Sequence, residues 1–441
     1  MANIINDNLN VINFLQDLQT QGVELWVEGD KLKYRSTKEV LTSQVLSQIK
    51  QYKSEILDLL RQNAEPTEPY PLSLGQQALW FLYQLAPEST AYNIMYAVRL
   101  KPNIDTAILE QAFTKTIARH PSLRSIYKTE DGQPVQQVCQ DLPVQGRPNA
   151  FGRCLNVVQF KVTQTSDLSQ DYLDNWLAEN ADRPFKLEQG DLIRAHVLNR
   201  SDQTDSIENQ ESFLLLVAHH IAIDFWSLDI LIDDLCLLYQ SIEQGNSISL
   251  PPLTVQYRDY VSQEQKKLAS PELEQQWDYW QQKLAGELPV LNLPTDKPRP
   301  PIQTYNGVSH YFSLNEELSQ GIRELAKKTG ATPYATVLAA FQVLLLRYTS
   351  QSEIVLGCPM AGRIDPTLEK IVGYFVNPVV LRGNLAGNPT FEELISKTRQ
   401  TLFEALDYQE LPFPLLVEKL QPERDPSRSP LFQAALVWDR S

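Results

Sequence analysis

The sequence predicts a mixed α/β protein that consists of a small N-terminal unit followed by two larger lobes. Three observations support this fold class. The first sixty residues have the pattern of a helix, a hairpin and a helix, residues 63–71 form a linker rich in proline and glutamate, and a second proline-rich stretch, 286–305, divides the rest of the chain. Helical and strand patterns alternate on both sides of that stretch. Active sites often lie between two such lobes.

The N-terminal unit spans residues 1–62, which is enough for only a marginal core. Apolar residues at helical spacing predict a helix over 10–18. Alternation of apolar and polar residues over 22–34, with a Gly-Asp turn near its centre, predicts a β-hairpin. A second helix is predicted over 43–60, so the unit is expected to fold as α-β-β-α.

The two lobes are predicted to span 72–250 and 251–441. In the first lobe, helical periodicity predicts a helix over 108–119, and the continuous apolar run 213–218 predicts a buried strand. An amphipathic helix capped by Ser227 is expected to follow that strand. The second lobe repeats the mixture, with helices predicted over 318–329 and 335–348 and strands predicted over 354–357 and 379–382.

Composition excludes several classes of function. The chain has 441 residues, a net charge of −15 and a pI of about 4.9, so a nucleic-acid partner is not expected. No stretch reaches eighteen apolar residues, and the N-terminus lacks the basic and apolar regions of a signal peptide, so we expect no membrane span and a cytoplasmic location. The four cysteines are scattered without metal-binding or disulfide spacing, and we expect them to be reduced.

The residues best suited to chemistry are His219 and His220, two of only five histidines, which directly follow the apolar run. Neighbouring residues of a strand point to opposite faces, so only one of the pair can face a cleft. An imidazole suits proton transfer near neutral pH. Asp224 lies four residues further on, where a turn of the chain can bring its carboxylate near an imidazole or another cation.

Other chemistries find less support in the sequence. Two histidines and an aspartate are a possible metal set, but the residues around them are apolar and we expect no metal. The sequence has no GxSxG elbow, no Walker loop and no GxGxxG. A covalent serine enzyme and a nucleotide-dependent enzyme are therefore not expected.

The segment His219–Asp224, HHIAID, resembles the HHxxxD motif of condensation domains from nonribosomal peptide synthetases and of chloramphenicol acetyltransferase-like acyltransferases. Further segments resemble the other motifs of condensation domains, in the same order along residues 72–436: Leu72–Phe81 with Tyr92–Ile94, Arg119–Arg124, Tyr257–Tyr260, Val372–Arg382, Pro412-Phe413 and Arg424–Phe432. Residues 1–62 resemble the N-terminal docking domains of the TubC type.

This resemblance implies two chloramphenicol acetyltransferase-like lobes in a V-shaped pseudo-dimer with a tunnel between them. It implies an acyltransferase that joins a carrier-bound acyl thioester to the amine of a second carrier-bound residue. Both substrates would arrive on 4'-phosphopantetheine arms, with no cofactor bound by the chain itself. The implied partners are upstream and downstream carrier domains, the C-terminal tail of an upstream subunit at 1–62, and a downstream adenylation domain.

The resemblance also implies roles for individual residues. His220 would position or deprotonate the amine, with His219 as its inward-facing partner. Asp224 would be structural and paired with Arg124, since a buried carboxylate next to a guanidinium can fix a loop. The family usually has glycine where this chain has Phe225, which we expect to reshape the donor side. The implied substrate-tunnel residues are Phe225, Trp226, Ser227 and Asn377.

Several related functions stay open at this point. An epimerisation domain or an ester-forming relative would keep the HHxxxD motif, and a non-catalytic recruitment platform would keep the fold. A cyclisation domain would replace the histidine pair, which this chain retains. The docking-like segment at the start of the chain and the ordered set of motifs favour amide-bond formation over epimerisation or a free coenzyme A-dependent acyltransferase.

Overall fold

The computed structural model describes residues 24–28, 31–35, 43–53, 68–102, 104–139, 159–201, 210–245, 250–251, 253 and 255–439. The chain divides into two compact units. The first comprises Met1–Pro71, Asn93–Ile223 and Leu228–Pro252, and the second comprises Leu72–Tyr92, Asp224–Ser227 and Leu253–Ser441. Compared with the expected domains, residues 1–71 are grouped with the first unit, and the segments 72–92 and 224–227 are grouped with the second.

The N-terminal segment contains the predicted hairpin. Strands β1 (Glu24–Glu28) and β2 (Lys31–Arg35) pair in antiparallel register, with Glu24 opposite Arg35. Helix α1 (Ser43–Gln51) begins at the residue where the sequence predicts a helix. The helix predicted over 10–18 lies outside the described residues.

Nine further strands follow along the chain: β3 (Tyr70–Pro71), β4 (Asn93–Leu100), β5 (Ser125–Glu130), β6 (Gln133–Val138), β7 (Gln159–Thr165), β8 (Ile193–Ser201), β9 (Gln210–His219), β10 (Glu353–Met360) and β11 (Asn377–Asn384) among the described residues. The helices after α1 are α2 (Leu74–Leu85), α3 (Thr106–Arg119), α4 (Gln170–Ala181), α5 (Phe225–Glu243), α6 (Tyr257–Leu268), α7 (Glu272–Lys283), α8 (Glu316–Lys328), α9 (Pro333–Thr349), α10 (Phe391–Asp407) and α11 (Phe413–Leu420).

The first unit is built on a four-stranded sheet in the order β4-β9-β8-β7. Strand β9 is central, antiparallel to both β4 and β8, and it contains the apolar run that predicts a buried strand. Strand β7 joins the edge of the sheet in parallel with β8. Residues 214–219 are all buried, so the sheet fixes the backbone that leads into the histidine pair.

The second unit pairs β10 with β11 in antiparallel register and packs α9 and α10 against them. Leu338, Leu356 and Ile395 are fully buried at the centre of its core. The proline-rich stretch 286–305 forms neither helix nor strand, as the sequence predicts. The C-terminal segment runs beside β10, where the Leu436 amide donates to the Gly357 carbonyl at 3.0 Å.

Helix ends are largely set by their capping residues. Ser73 and Gln76 form a reciprocal capping box at the start of α2. The prediction that Ser227 caps the helix after β9 is wrong, because α5 begins two residues earlier, at Phe225. The carboxylate of Asp224 accepts the Ser227 N–H at 2.7 Å, so the aspartate is the capping residue.

Within the described part of the chain, no single helix is long and apolar enough to cross a membrane, although the bent pair α8 and α9 together meets that length and composition. Cys236 and Cys358 are free thiols. Cys139 is disulfide-bonded, which contradicts the expectation that all cysteines are reduced.

Candidate active site

The histidine pair lies where β9 leaves the sheet of the first unit. The backbone turns at once, and the Ala222 N–H donates to the His219 carbonyl at 3.0 Å. The Tyr127 hydroxyl donates to the carbonyl of Ile221 at 3.3 Å. Ile221, Ala222 and Ile223 are fully buried. The three residues between the histidines and Asp224 therefore anchor the turn in the core.

His220 is held in one tautomer by the main chain. Its Nδ1 lies 2.7 Å from the carbonyl oxygen of Ile223. Because a carbonyl can only accept, the ring must donate from Nδ1. In the neutral ring, Nε2 then carries the lone pair. The side chain is half-buried. An imidazole held in this way can accept a proton at Nε2.

His219 has a different environment. Its side chain is 3% exposed, and its Nδ1 accepts the N–H of Ile221 at 3.1 Å. Its ring and the Phe185 ring form a T-shaped pair with a centroid distance of 6.1 Å. Burial, helped by the neighbouring His220, lowers the pKa of His219 to about 3. This imidazole is therefore neutral at physiological pH and stabilises the turn.

Asp224 lies at the centre of a buried network in the second unit. Its Oδ1 accepts from the Ser227 N–H at 2.7 Å and from Nη2 of Arg363 at 2.9 Å. Its Oδ2 accepts from the Phe375 N–H at 3.2 Å. Both charged side chains are only 1% exposed. The carboxylate is occupied by structural partners, which agrees with a role in holding the loop.

The ion-pair partner of Asp224 is Arg363, so the expectation that Arg124 fills this role is wrong. The guanidinium of Arg124 donates instead to the carbonyl of Cys139. Arg363 matches none of the motifs named above; it follows β10 after Gly362 and is separated from Asp224 by 139 residues. A lone Gly-Arg step after a buried strand is the one local signal that could have found it.

Arg363 uses most of its hydrogen-bonding groups. Nη1 donates to the carbonyls of Leu368 and Ile371 at 2.9 and 2.7 Å, and Nη2 also donates to the Ser227 hydroxyl at 2.8 Å. The guanidinium carbon lies 3.9 Å from the centroid of the Phe375 ring. Burial lowers the pKa of Arg363, and the adjacent carboxylate opposes that shift. The guanidinium thus ties the motif loop to the 368–375 segment.

The residues after Asp224 differ sharply in exposure. Ser227 is fully buried, and its hydroxyl donates to the Gly373 carbonyl at 2.9 Å, which argues against the predicted substrate contact by this residue. Phe225 and Trp226 are 50% and 45% exposed. The Trp226 indole N–H donates to the Glu369 carbonyl at 3.1 Å, which fixes the orientation of the ring. A substrate contact by these two aromatic residues stays a prediction.

Asn377 is engaged by the backbone of the segment that leads into α11. Its Nδ2 donates to the carbonyls of Gln409 and Leu411, both at 2.8 Å, and its Oδ1 accepts the Phe413 N–H at 2.8 Å. These contacts pin two motif segments to each other. The predicted tunnel-side contact of Asn377 stays a prediction.

Asp234, on helix α5, binds the motif around Arg119. Asp234 Oδ2 accepts from Arg119 Nε at 2.9 Å and lies 2.9 Å from His120 Nε2. His120 is buried, and burial lowers its pKa although the Asp234 carboxylate opposes the shift. The Arg-His pair therefore anchors helix α3 to α5 within the first unit. Among the described residues, no group of three or more His, Cys, Asp or Glu is arranged to hold a metal.

Comparison with protein-family models gives two matches. The model for the condensation domain matches residues 67–440. The chain belongs to the condensation-domain family. The model for the TubC N-terminal docking domain matches residues 11–62. The fold is the chloramphenicol acetyltransferase-like α/β fold of condensation domains, as the sequence predicts.

Among curated proteins, the chain is 40% identical over 367 residues to one of the proteins that make up the linear gramicidin synthase of Brevibacillus parabrevis. It aligns over 83% of its own length but spans only 7% of that relative. A solved four-domain nonribosomal peptide synthetase, bound to AMP and glycine, shares the fold with a TM-score of 0.72 at 24% identity, over 86% of this chain and 27% of that one. The X-domain from teicoplanin biosynthesis gives a TM-score of 0.70 at 26% identity, over 83% and 77% of the two chains.

Proposed function

We propose that this chain forms an amide bond between two carrier-bound substrates in a nonribosomal peptide assembly line, or in a hybrid polyketide-peptide one. The observation that supports this most strongly is the condensation-domain match together with His220, whose Nδ1–H is bound to a main-chain carbonyl. Acyl groups and amines would be delivered as thioesters on the 4'-phosphopantetheine arms of carrier domains. The chain itself would need no bound cofactor.

The chemistry assigned to His220 follows from its tautomer. The acceptor amine attacks the thioester carbonyl, a C–N bond forms, and the C–S bond breaks. The nitrogen must lose one proton, and the departing thiolate must gain one. Nε2 of His220 has the lone pair that can take the proton and return it to sulfur. Thioesters are already activated, so alignment of the two reactants supplies much of the remaining rate enhancement.

His219, Asp224 and Arg363 would act by positioning. His219 holds the turn as a neutral ring, and the Asp224–Arg363 pair fixes the backbone just after His220. Arg124, which binds a main-chain carbonyl in the first unit, would support the fold and not the ion pair. We assign no base role to Asp224, because both of its oxygens already accept structural hydrogen bonds.

The partners follow from the same assignment. Residues 1–62 would bind the C-terminal tail of an upstream synthase subunit, with the edge of the β1–β2 hairpin as a natural place for an added strand. Upstream and downstream carrier domains would deliver the substrates, and an adenylation domain would follow in the same assembly line. We propose a cytoplasmic location, without nucleic-acid or membrane partners.

The decisive experiment loads the adjoining carrier domains with candidate groups and detects the condensed product by intact-protein mass spectrometry. His220→Ala should abolish product while the protein stays folded. His310→Ala is the matched control, since His310 is exposed and lies far along the sequence. Full product formation by His220→Ala would refute the assignment.

Phe225 and Trp226 are proposed to contact the donor acyl group, because two large aromatic rings are exposed directly after the buried residues 221–224. Phe225→Gly should change the preference among donors and leave acceptor preference intact. The mass-spectrometric product assay, with donors and acceptors varied separately, measures both preferences. Unchanged donor preference would overturn this role.

A recruitment platform is the second candidate, because the X-domain is among the structural relatives and a solved complex pairs an X-domain with OxyB. A platform would bind a partner enzyme whether or not His220 is present. Loss of product in His220→Ala, with the folded state retained, separates the two functions.

A further inference from the structure

Helix α6 places a partly buried glutamate against the start of helix α2 within the second unit. Glu264 Oε2 accepts the N–H of Leu74 at 2.9 Å. The Tyr260 hydroxyl, one turn earlier on α6, lies 3.5 Å from Oε1. Within the described part of the chain, these two groups are the polar partners of the carboxyl group, and neither is a cation.

Leu74 is the first residue of α2, so the carboxylate sits at the positive end of a helix. Ser73 and Gln76 form the capping box there, and Glu264 accepts one more of the free N–H groups of the first turn. The helix dipole and the two hydrogen bonds favour the anion. Burial opposes it and is the larger effect, so the pKa of Glu264 is raised to about 7.

The same face of α6 makes a second contact with the start of α2. Tyr257, seven residues before Glu264, donates its hydroxyl proton to the Tyr374 carbonyl at 2.6 Å. Its oxygen must then accept from the Ser73 hydroxyl, which is 3.0 Å away. A Cβ on Gly75 would lie 2.7 Å from the Tyr374 ring, so glycine permits this close approach. Two hydrogen-bonded contacts thus hold the α2 terminus to α6.

Other ionisable groups around this contact have their own partners. Lys267, one turn after Glu264, pairs with Glu410. Asp224 and Arg363 act electrostatically on Tyr260 and are paired with each other. Helix α11, which packs against α2, has Glu418 on its exposed side. Tyr257 and Tyr374 also lie at this contact, where the Tyr257 hydroxyl is hydrogen-bonded to Ser73 and to the Tyr374 carbonyl.

We propose that Glu264 is a proton-operated switch at the contact between helices α2 and α6. In the ionised state the carboxylate accepts from both the Leu74 amide and the Tyr260 hydroxyl. In the protonated state the new carboxyl O–H becomes a donor, and the Tyr260 hydroxyl must turn to accept it. Protonation therefore reverses one hydrogen bond and removes the charge that faces the helix terminus.

The effect on stability has a defined sign. The folded-state pKa lies above the ordinary value of 4.5, so the folded protein holds this proton more tightly than the unfolded chain. The resulting stabilisation is complete below pH 4.5 and is lost as the pH rises towards 7. Above that pH the α2 terminus is held against a partly buried anion, and the contact is at its weakest.

The first test is direct titration by NMR of protein labelled with ¹³C at the glutamate carboxyl carbon. One carboxyl resonance should titrate with a midpoint near pH 7, and Glu264→Gln should remove it. Glu418→Gln is the matched control and should leave the resonance in place. Tyr260→Phe removes a hydrogen bond that favours the anion, so the midpoint should move to higher pH. The proposal fails if no such resonance exists or if it survives in Glu264→Gln.

The second test compares stability across pH. Glutamine preserves an acceptor for the Leu74 N–H but cannot titrate. The ratio of the wild-type to the Glu264→Gln unfolding constant should rise by about tenfold per pH unit at its steepest, between pH 5 and 7, and then level off. A ratio that does not change with pH would overturn the proposal. Neither test uses a substrate, so both outcomes are independent of the proposed amide-bond formation.

Discussion

Helix α5 and the residue that caps it present two aspartates, each paired with an arginine, in very different surroundings. Asp224 and Arg363 are both 1% exposed and are enclosed by backbone partners. Asp234 and Arg119 are 13% and 19% exposed, and a histidine shares the carboxylate. Each network joins its part of α5 to another family motif: the first to the 368–375 segment and the second to the end of α3.

This difference in exposure matters because the free energy lost on breaking an ion pair depends on whether water can reach the charge that is left behind. A buried ion pair stabilises the fold little more than apolar side chains of similar size would. Removal of one partner, however, leaves a buried charge that neither a counter-charge nor water compensates. A partly exposed pair can be rehydrated when one partner is lost. The inner network therefore fixes Asp224 against the 368–375 segment, whereas the outer one contributes graded stability.

The largest expected effect is that of Arg363→Ala. It leaves the Asp224 carboxylate buried without a counter-charge and should lower the free energy of unfolding by about 3–5 kcal/mol. Arg363→Lys should recover only part of this, because an ammonium cannot reproduce the guanidinium fork. Chemical denaturation of both variants measures the loss. The exposed Arg323–Glu316 pair is the control, and Arg323→Ala should cost about 0–1 kcal/mol. Equal losses for Arg363→Ala and Arg323→Ala would contradict the comparison.

Gly362→Ala tests the same network through the backbone. Gly362 has φ of 67°, and a Cβ there would lie 1.9 Å from the Phe375 carbonyl oxygen. The left-handed conformation alone costs about 1–2 kcal/mol for alanine, and the clash adds to it. Gly387 has φ of 83° with no atom within 4 Å of the added Cβ, so Gly387→Ala isolates the conformational cost. Thermal unfolding should rank Gly362→Ala as clearly the less stable variant.

Asp234→Asn should have a smaller effect on the outer network. The amide keeps the shape but loses the charge-assisted hydrogen bonds to Arg119 and His120, which are worth about 1.5–3 kcal/mol. Partial exposure should bring the measured loss to the lower end of that range. Urea unfolding of Asp234→Asn and Arg363→Ala under the same conditions compares the two losses in the free energy of unfolding. A loss as large as that of Arg363→Ala would show that exposure does not set the cost.

The response to mild acid tests the two buried histidines, one in each of these regions of the first unit. Burial lowers the pKa of both His219 and His120, so the folded state binds fewer protons than the unfolded chain does at these sites. Their stabilisation is complete above pH 6.5 and declines as the pH falls, towards about pH 3 for His219. The melting temperature of the Glu264→Gln variant should fall as the pH is lowered from 7.5 to 5. This variant is used because protonation of Glu264 would stabilise the fold over the same pH range and mask the effect of the histidines. A flat profile there would contradict buried neutral histidines.

Local patterns in the sequence predict both the strand that leads into the site and the N-terminal hairpin. The apolar run 213–218 predicts the central strand, and the alternation over 22–34 predicts the hairpin. Both patterns are local, so a short stretch of sequence is enough to recognise them. The sequence predicts the start of α5 two residues too late, because Asp224 and Ser227 are both good capping residues. The choice between them depends on Arg363 and Gly373, which bind the Ser227 hydroxyl from distant parts of the chain.

The pairing of Asp224 could not be predicted from spacing. Arg124 ends one family motif and Arg363 follows a buried strand, and sequence spacing does not show which of the two arginines meets Asp224. The distinction arises from tertiary structure, since Arg363 also meets two main-chain carbonyls and the face of Phe375. Likewise, the sequence shows Glu264 as one of many acidic residues, and only folding brings it to the Leu74 amide.

The hydrogen bond from His220 to the main-chain carbonyl of Ile223 has a consequence for mutational robustness. No side chain provides the acceptor, so exchanges among apolar residues at 221–223 leave the orienting group unchanged as long as the turn keeps its path. The motif can therefore tolerate variety at its three inner positions. A backbone ester in place of the amide after Ile223 would weaken the carbonyl acceptor and thus perturb the tautomer without altering any side chain.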